Sequence, residues 1–76
     1  MKKSEYMLAY RVSCLTDSFY KEGYQFDHIY QEALGSSFEV RRLTHGNGNV
    51  IDISVSRLHG EIVVKKNGNI IKEEKV

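Results

Sequence analysis

Hydrophobic and polar residues alternate along the C-terminal half of the chain, in four short runs separated by glycine-containing turns. The runs are rich in Val, Ile and Phe, which favour β-strands. Asn-Gly between two such runs is a strong hairpin signal, because a type I′ turn needs positive φ at both central positions. The pattern predicts a four-stranded antiparallel meander over about residues 37–75, with strands at Phe38–Thr44, Val50–Arg57, Ile62–Lys66 and Ile70–Glu73.

The lengths of the turns decide which side chains share a face of this sheet. If the first turn consists of two residues, Asn47 and Gly48, then Val40 lies opposite Val55, and the two later glycine turns continue the same face assignment. Side chains alternate between faces along each strand, so this register predicts one apolar face and one mixed face. The predicted apolar face consists of Phe38, Val40, Ile51, Ile53, Val55, Ile62, Val64 and Ile71.

The mixed face carries more aliphatic side chains than a purely solvated surface needs. Contiguous apolar patches mark contacts with partners, although single exposed aliphatic residues are common on any protein. Tyrosines in the preceding connection add large side chains that suit an interface. The sequence therefore predicts a partner-binding surface that includes Leu43, Val50, Val63, Ile70, Tyr20 and Tyr24.

The N-terminal part of the chain is harder to assign. Residues 5–15 alternate with period two, which predicts a strand added to the meander, although their Met, Leu and Ala content leaves a helix as an alternative. Over residues 24–34, apolar residues recur at three- and four-residue steps, and Gly35 stands where a helix often ends. We expect one α+β domain, residues 1–76, with a single helix over about residues 24–34 packed on one face of the sheet.

Composition narrows the class of protein. The chain has 76 residues, of which 41% are hydrophobic and 28% charged, and this balance is typical of one small folded domain. A formal net charge of +1 gives little bulk attraction for nucleic acids. The single cysteine, Cys14, cannot form an internal disulfide, and no segment resembles a signal peptide or a membrane span. These features predict a cytoplasmic protein.

Candidate chemistry is sparse. The potential metal ligands are Cys14, His28, His45 and His59, and no two of them form a closely spaced pair on one element. The glycine-rich turn near Gly48 is followed by a predicted strand and lacks the lysine of a phosphate-binding loop. We therefore expect no catalytic, cofactor-binding or metal-binding residues, and a protein that is not an enzyme.

The patterns favour a small non-enzymatic protein-binding module, a regulator or inhibitor of a larger protein, of the kind that phages and mobile elements encode. A homodimer through the open sheet face is one form of this hypothesis. The alternative is a nucleic-acid-binding domain that contacts phosphates through Arg41, Lys65 and Lys72, which the predicted register puts on the open face. Interleaved acidic residues, and the lack of aromatic residues on the open face of the central strands, count against the alternative.

Overall fold

A helix followed by a five-stranded antiparallel sheet forms the fold. The computed structural model describes residues 3–30 and 38–76, with side chains from residue 6 onward within these ranges. The elements are α1 (Lys3–Lys21), β1 (Gln25–Tyr30), β2 (Phe38–Thr44), β3 (Val50–Ser56), β4 (Glu61–Lys66) and β5 (Asn69–Lys75). Each strand pairs with its sequence neighbour, in the order β1-β2-β3-β4-β5. The predicted α+β class, the four-stranded meander with an added strand, and a single helix on one face are confirmed.

The helix and the added strand have exchanged their predicted places in the chain. Residues 5–15, predicted as a strand, belong to α1, and residues 25–30, predicted as helix, form β1. The remainder of the predicted helix, 31–34, and the glycine after it lie outside the described residues. The decisive feature of α1 is the stripe Leu8, Val12 and Leu15, which is buried against the sheet. Burial of this stripe outweighs the weak strand preference of Val12 itself and of the neighbouring Tyr6 and Tyr10.

A Schellman motif ends α1 and turns the chain into β1. Gly23 has a φ of 100°. Its N–H donates to the Tyr20 carbonyl at 3.0 Å, and the Tyr24 N–H donates to the Phe19 carbonyl at 3.1 Å. The rings of Phe19 and Tyr24 lie edge to face with centroids 5.6 Å apart, which supplies the apolar contact that usually accompanies this motif.

His45, which follows β2, holds this end of the helix against the loop between β2 and β3. Its Nε2 lies 3.1 Å from the Glu22 carbonyl oxygen, and the Asn47 N–H donates to its Nδ1 at 3.1 Å. These partners assign the proton to Nε2, which donates to the carbonyl. The imidazole also lies edge to face against Tyr24, with ring centroids 5.0 Å apart. The end of the helix, the start of β1 and the first sheet loop therefore share one contact region.

One face of the sheet carries the core. Side chains of the helix stripe pack on the central strands, and the interior is built from aliphatic residues with one tyrosine. The buried cluster consists of Leu8, Val12, Leu15, Tyr24, Leu43, Ile51, Ile53, Val55, Ile62 and Val64. Burying each Leu, Ile or Val side chain stabilises the fold by about 1.5–3 kcal/mol, so this cluster is the main source of stability.

An ion pair holds the flank of α1 to β5. Arg11 donates from Nη2 and Nε to Oε1 of Glu74, at 2.9 and 3.2 Å. The hydrogen bond to Glu74, and secondly the charge of Glu74, raise the pKa of Arg11. Because the pKa of Arg11 is raised, its contribution to stability is present at neutral pH and is lost as the pH rises through the alkaline range of arginine.

The loop between β2 and β3 has three residues rather than the predicted two. The His45 N–H donates to the Asn49 carbonyl at 3.0 Å, and the Gly48 N–H donates to the His45 carbonyl at 2.9 Å. Gly48 has a φ of 95°, the left-handed conformation that the last residue of a three-residue hairpin loop adopts. The prediction of a two-residue turn at Asn47 and Gly48 is therefore wrong by one residue.

This difference of one residue turns all of β2 over, because side chains alternate between faces. Leu43 lies opposite Ile51 and belongs to the core. Glu39 and Arg41 share the helix side of the sheet with Leu43. Phe38 and Val40, predicted for the face that the helix covers, lie on the other face instead, where Val40 is nevertheless buried at 1% exposure.

The two later turns agree better with the prediction. Asn67 and Gly68, with φ values of 52° and 86°, form the predicted two-residue turn. The loop between β3 and β4 has four residues, 57–60, which is two more than a two-residue turn. Because side chains alternate between faces, a difference of two residues leaves the side chains of β4 on their predicted faces. A bulge in the pairing of β4 with β5 then changes the faces along β5, and Ile71, predicted for the core, is half exposed.

Replacement of Gly23 tests the contact between the helix end and His45. A Cβ at Gly23 would lie 2.8 Å from Nε2 of His45, in a backbone conformation that L-residues rarely adopt. We expect Gly23→Ala to lower the free energy of unfolding by about 2–3 kcal/mol, from left-handed strain and loss of the imidazole hydrogen bond. Urea denaturation measures this effect.

Two other glycines supply matched controls. A Cβ at Gly46 meets no atom within 4 Å and its φ is not positive, so Gly46→Ala should change stability by no more than about 0.5 kcal/mol. Gly48→Ala adds strain without a collision and should cost about 1–2 kcal/mol. Equal stabilities of the Gly23 and Gly48 variants would show that the close approach of His45 is unimportant.

Candidate functional site

The helix covers only the middle of the sheet. Five strands spaced about 4.8 Å apart span roughly 19 Å, whereas a helix with its side chains is about 10 Å across. On the helix side of β1, Phe26 pairs with Leu43 and Ile29 pairs with Arg41. A bulge at Asp27 places Phe26 and Ile29 on the same face although they are three residues apart. These two side chains are 49% and 44% exposed, so they form an uncovered apolar strip.

The outer edge of β1 is the less protected of the two sheet edges. Within the described ranges, β1 pairs only with β2. The opposite edge strand, β5, has the sequence Asn-Ile-Ile-Lys-Glu-Glu-Lys, and such a concentration of charge prevents pairing with other chains. In contrast, β1 has the sequence Gln-Phe-Asp-His-Ile-Tyr, in which the Asp27 carboxylate contacts the His28 ring at 2.6 Å. We call the outer side of β1, with Phe26 and Ile29, the β1 edge.

The open face of the sheet is a mixed surface rather than an apolar patch. Arg42 donates to both carboxylate oxygens of Asp52, at 2.9 and 3.2 Å, and its guanidinium lies 5.8 Å from the ring centroid of Tyr30. Asp52 raises the pKa of Arg42 through this hydrogen bond and secondly through its charge. Near the sheet edge Lys75 lies 3.7 Å from Glu61. These charge pairs interrupt the apolar residues on this face.

The six residues predicted to bind a partner do not form one surface. Val50, Val63 and Ile70 lie on the open face, and Ile70 is the most exposed of the three. Tyr20 is exposed near the end of α1. Leu43 and Tyr24 are 0% and 8% exposed and belong to the core, so the prediction that these two residues lie at the surface is wrong.

The three residues of the predicted nucleic-acid surface are also separated. Arg41 and Lys72 lie on the helix side, with Ile53 of β3 and Val64 of β4 between them. Lys65 lies on the opposite face. The register of β2 and the bulge before β5 cause this separation, since each reverses the face that the sequence predicted. The prediction that these residues share the open face is wrong.

A cleft of about 140 Å³ lies between α1 and the strands β2 and β3. Helix residues form one wall and strand residues the other, and the lining consists of Leu8, Ala9, Val12, Ser13, Glu39, Arg41, Val55 and Arg57. Arg57 donates to the Glu39 carboxylate at 2.7 Å. The Nε atom of Arg41 is buried and has no hydrogen-bond partner among the residues that the structure describes. The predicted register gives no sign of this cleft because it puts Arg41 on the open face, whereas Arg41 lies on the helix side.

The residues considered for metal binding lie apart. In the part of the chain that the structure describes, no three His, Cys, Asp or Glu side chains are grouped closely enough to hold a metal ion. Cys14 is a half-buried thiol on α1. The expectation that the protein has no metal, cofactor or catalytic residues stays a prediction.

Comparison of the chain with protein-family models, with curated proteins and with solved structures finds no match. No helix in the described ranges is long and apolar enough to cross a membrane. The β1 edge, the open face and the cleft are therefore the surfaces that can indicate a function.

The corrected position of Leu43 leads to a test of stability. Leu43→Ala removes a fully buried side chain and should lower the free energy of unfolding by about 2–5 kcal/mol. Leu58, 76% exposed in the loop between β3 and β4, is the matched control, and its alanine variant should differ from the parent by at most about 0.5 kcal/mol. Chemical denaturation of both variants measures these free energies of unfolding. An unchanged stability of the Leu43→Ala protein would support the register predicted from the sequence, in which Leu43 lies on the open face.

Proposed function

We propose that the protein is a small non-enzymatic binding module that recognises a larger protein through the β1 edge and thereby regulates or inhibits it. The supporting observation is that β1, an edge strand within the described ranges, carries two exposed large apolar side chains, Phe26 and Ile29, on the same face. The other edge strand, β5, also exposes Ile70 and Ile71, but the rest of the strand after them is Lys-Glu-Glu-Lys, and this run of charge disfavours pairing with another chain. An extended segment of a partner satisfies the free N–H and C=O groups of such an edge, while its side chains cover the apolar strip.

The size of the apolar strip favours binding of moderate strength. Covering the exposed halves of Phe26 and Ile29 removes on the order of 150 Å² of apolar surface, a gross gain of about 4 kcal/mol. The bulge at Asp27 limits regular pairing to the part of β1 that follows it. The partner therefore needs further contacts, and α1 offers the exposed Tyr6 and Tyr10.

The other surfaces give weaker support. The open face is the surface that the homodimer hypothesis uses. It carries the Arg42–Asp52 ion pair, which would have to be desolvated in an interface. A nucleic-acid surface lacks support because Arg41, Lys65 and Lys72 do not share a face. Self-association through β1 and binding of nucleic acid are therefore alternative outcomes of the experiment.

A photo-crosslinking experiment identifies what contacts the β1 edge. The full chain carries p-benzoylphenylalanine either at Phe26 or at Ile71, which lie on opposite edge strands with matched exposures of 49% and 52%. Each protein is irradiated in nuclease-treated lysate, and the crosslinked species are identified by mass spectrometry. We expect one protein to be crosslinked from position 26 and not from position 71.

Matched double variants then test the same surface by binding to the identified protein. Phe26→Ser with Ile29→Ser should weaken binding at least tenfold, because both apolar contacts are lost, whereas Ile70→Ser with Ile71→Ser should change it less than twofold. All four side chains are exposed, so both variants should remain folded, as circular dichroism will show. Crosslinking of position 26 only to another copy of this chain, or equal labelling from both positions, would contradict the proposal.

A further inference from the structure

We infer that the cleft between α1 and β2 binds a carboxylate that carries a compact apolar body. This site lies on the helix side of the sheet and is independent of the partner proposed for the β1 edge. Ligand recognition rests on two features: a cationic side chain that has no partner among the described residues, and a wall of small and medium apolar side chains.

Arg41 supplies the cation. The chain has four arginines, and three of them bind a carboxylate: Arg11 binds Glu74, Arg42 binds Asp52 and Arg57 binds Glu39. Within the described residues Arg41 alone has no carboxylate partner, and its Nε is buried without any hydrogen bond. A guanidinium nitrogen that is shielded from water without an acceptor is unfavourable, and a carboxylate is the acceptor that fits its geometry best.

The charge of the cleft also selects an anion. The lining contains two arginines and one glutamate, which gives a formal charge of +1. The Glu39 carboxylate pairs with Arg57, at 2.7 Å, and the described residues show no ion pair between Glu39 and Arg41. Ser13 lines the same cleft from the helix and brings a hydroxyl group that can donate a second hydrogen bond.

The volume and the remaining lining set the size of the ligand. The cleft holds about 140 Å³, and an engineered apolar cavity of about 150 Å³ is known to hold one benzene molecule. Leu8, Ala9, Val12 and Val55 form the apolar part of the wall. The fitting ligand is therefore an aromatic or branched aliphatic group of about six non-hydrogen atoms attached to a carboxylate, whether a free acid or the C-terminal residue of a peptide.

Titration of the full-length protein with benzoate tests the site, with benzamide as the neutral ligand of the same shape. Amide and methyl NMR signals report where each ligand binds. We expect benzoate to shift the signals of Val12, Val55 and the Arg41 side chain, and benzamide to bind at least tenfold more weakly, because it lacks the charge that Arg41 recognises.

Three variants locate the binding. Arg41→Gln should weaken benzoate binding at least tenfold, and Lys65→Gln, which removes a cation from the opposite face, should change it less than twofold. Ala9→Leu fills the cleft from an exposed helix position without altering the charge and should also abolish binding, which keeps the test decisive if the Arg41 variant does not fold.

A peptide arm distinguishes the two sources of the carboxylate. Acetyl-Gly-Phe with a free C-terminus is compared with its C-terminal amide and with benzoate. Tighter binding of the peptide acid would identify a protein terminus as the ligand, and tighter binding of benzoate a small molecule; either result supports the carboxylate site. A Kd weaker than about 10 mM for both acids, or equal affinity of the parent and Arg41→Gln proteins, would overturn the inference.

Discussion

The structure depends on one mismatch of size, because a single helix packs against a sheet that is about twice as wide. The stripe Leu8, Val12 and Leu15 takes the centre of the sheet, and the buried cluster is therefore centred on β3 and β4. At one side Arg11 reaches Glu74 on β5. At the other side β1 stays uncovered, and the cleft opens where the helix passes β2. Both candidate binding sites follow from this incomplete cover.

The sequence predicted the meander well because its signals are local. Glycine turns separate runs of β-branched residues, and the predicted strands match β2 to β5 to within two residues at each end. The two-residue turn at Asn67 and Gly68 was also predicted correctly. Face assignment was less secure, since it depends on whether each loop is odd or even in length. One extra residue before Val50 was enough to exchange the positions of Leu43 and Val40.

The remaining errors arose where tertiary contacts decide between two acceptable local structures. Residues 5–15 fit a strand by alternation, and only the sheet that buries Leu8 and Val12 makes them helical. Gly23 could have predicted the end of α1, because glycine adopts the left-handed conformation that stops this helix before β1. The cleft could not be predicted, because it depends on the face of the sheet on which Arg41 lies. That face is set by the length of the loop between β2 and β3, which was predicted one residue too short.

The order of the elements along the chain, with α1 ahead of the strands that it packs against, has a consequence for biosynthesis. The helix ends at Lys21, while β4, which completes the surface beneath it, ends at Lys66. At a synthesis rate of 5–20 residues per second, roughly 2–9 seconds separate the appearance of the two segments. During that interval the apolar stripe has no native surface to cover it, so the helix cannot yet gain the stability that tertiary packing gives it.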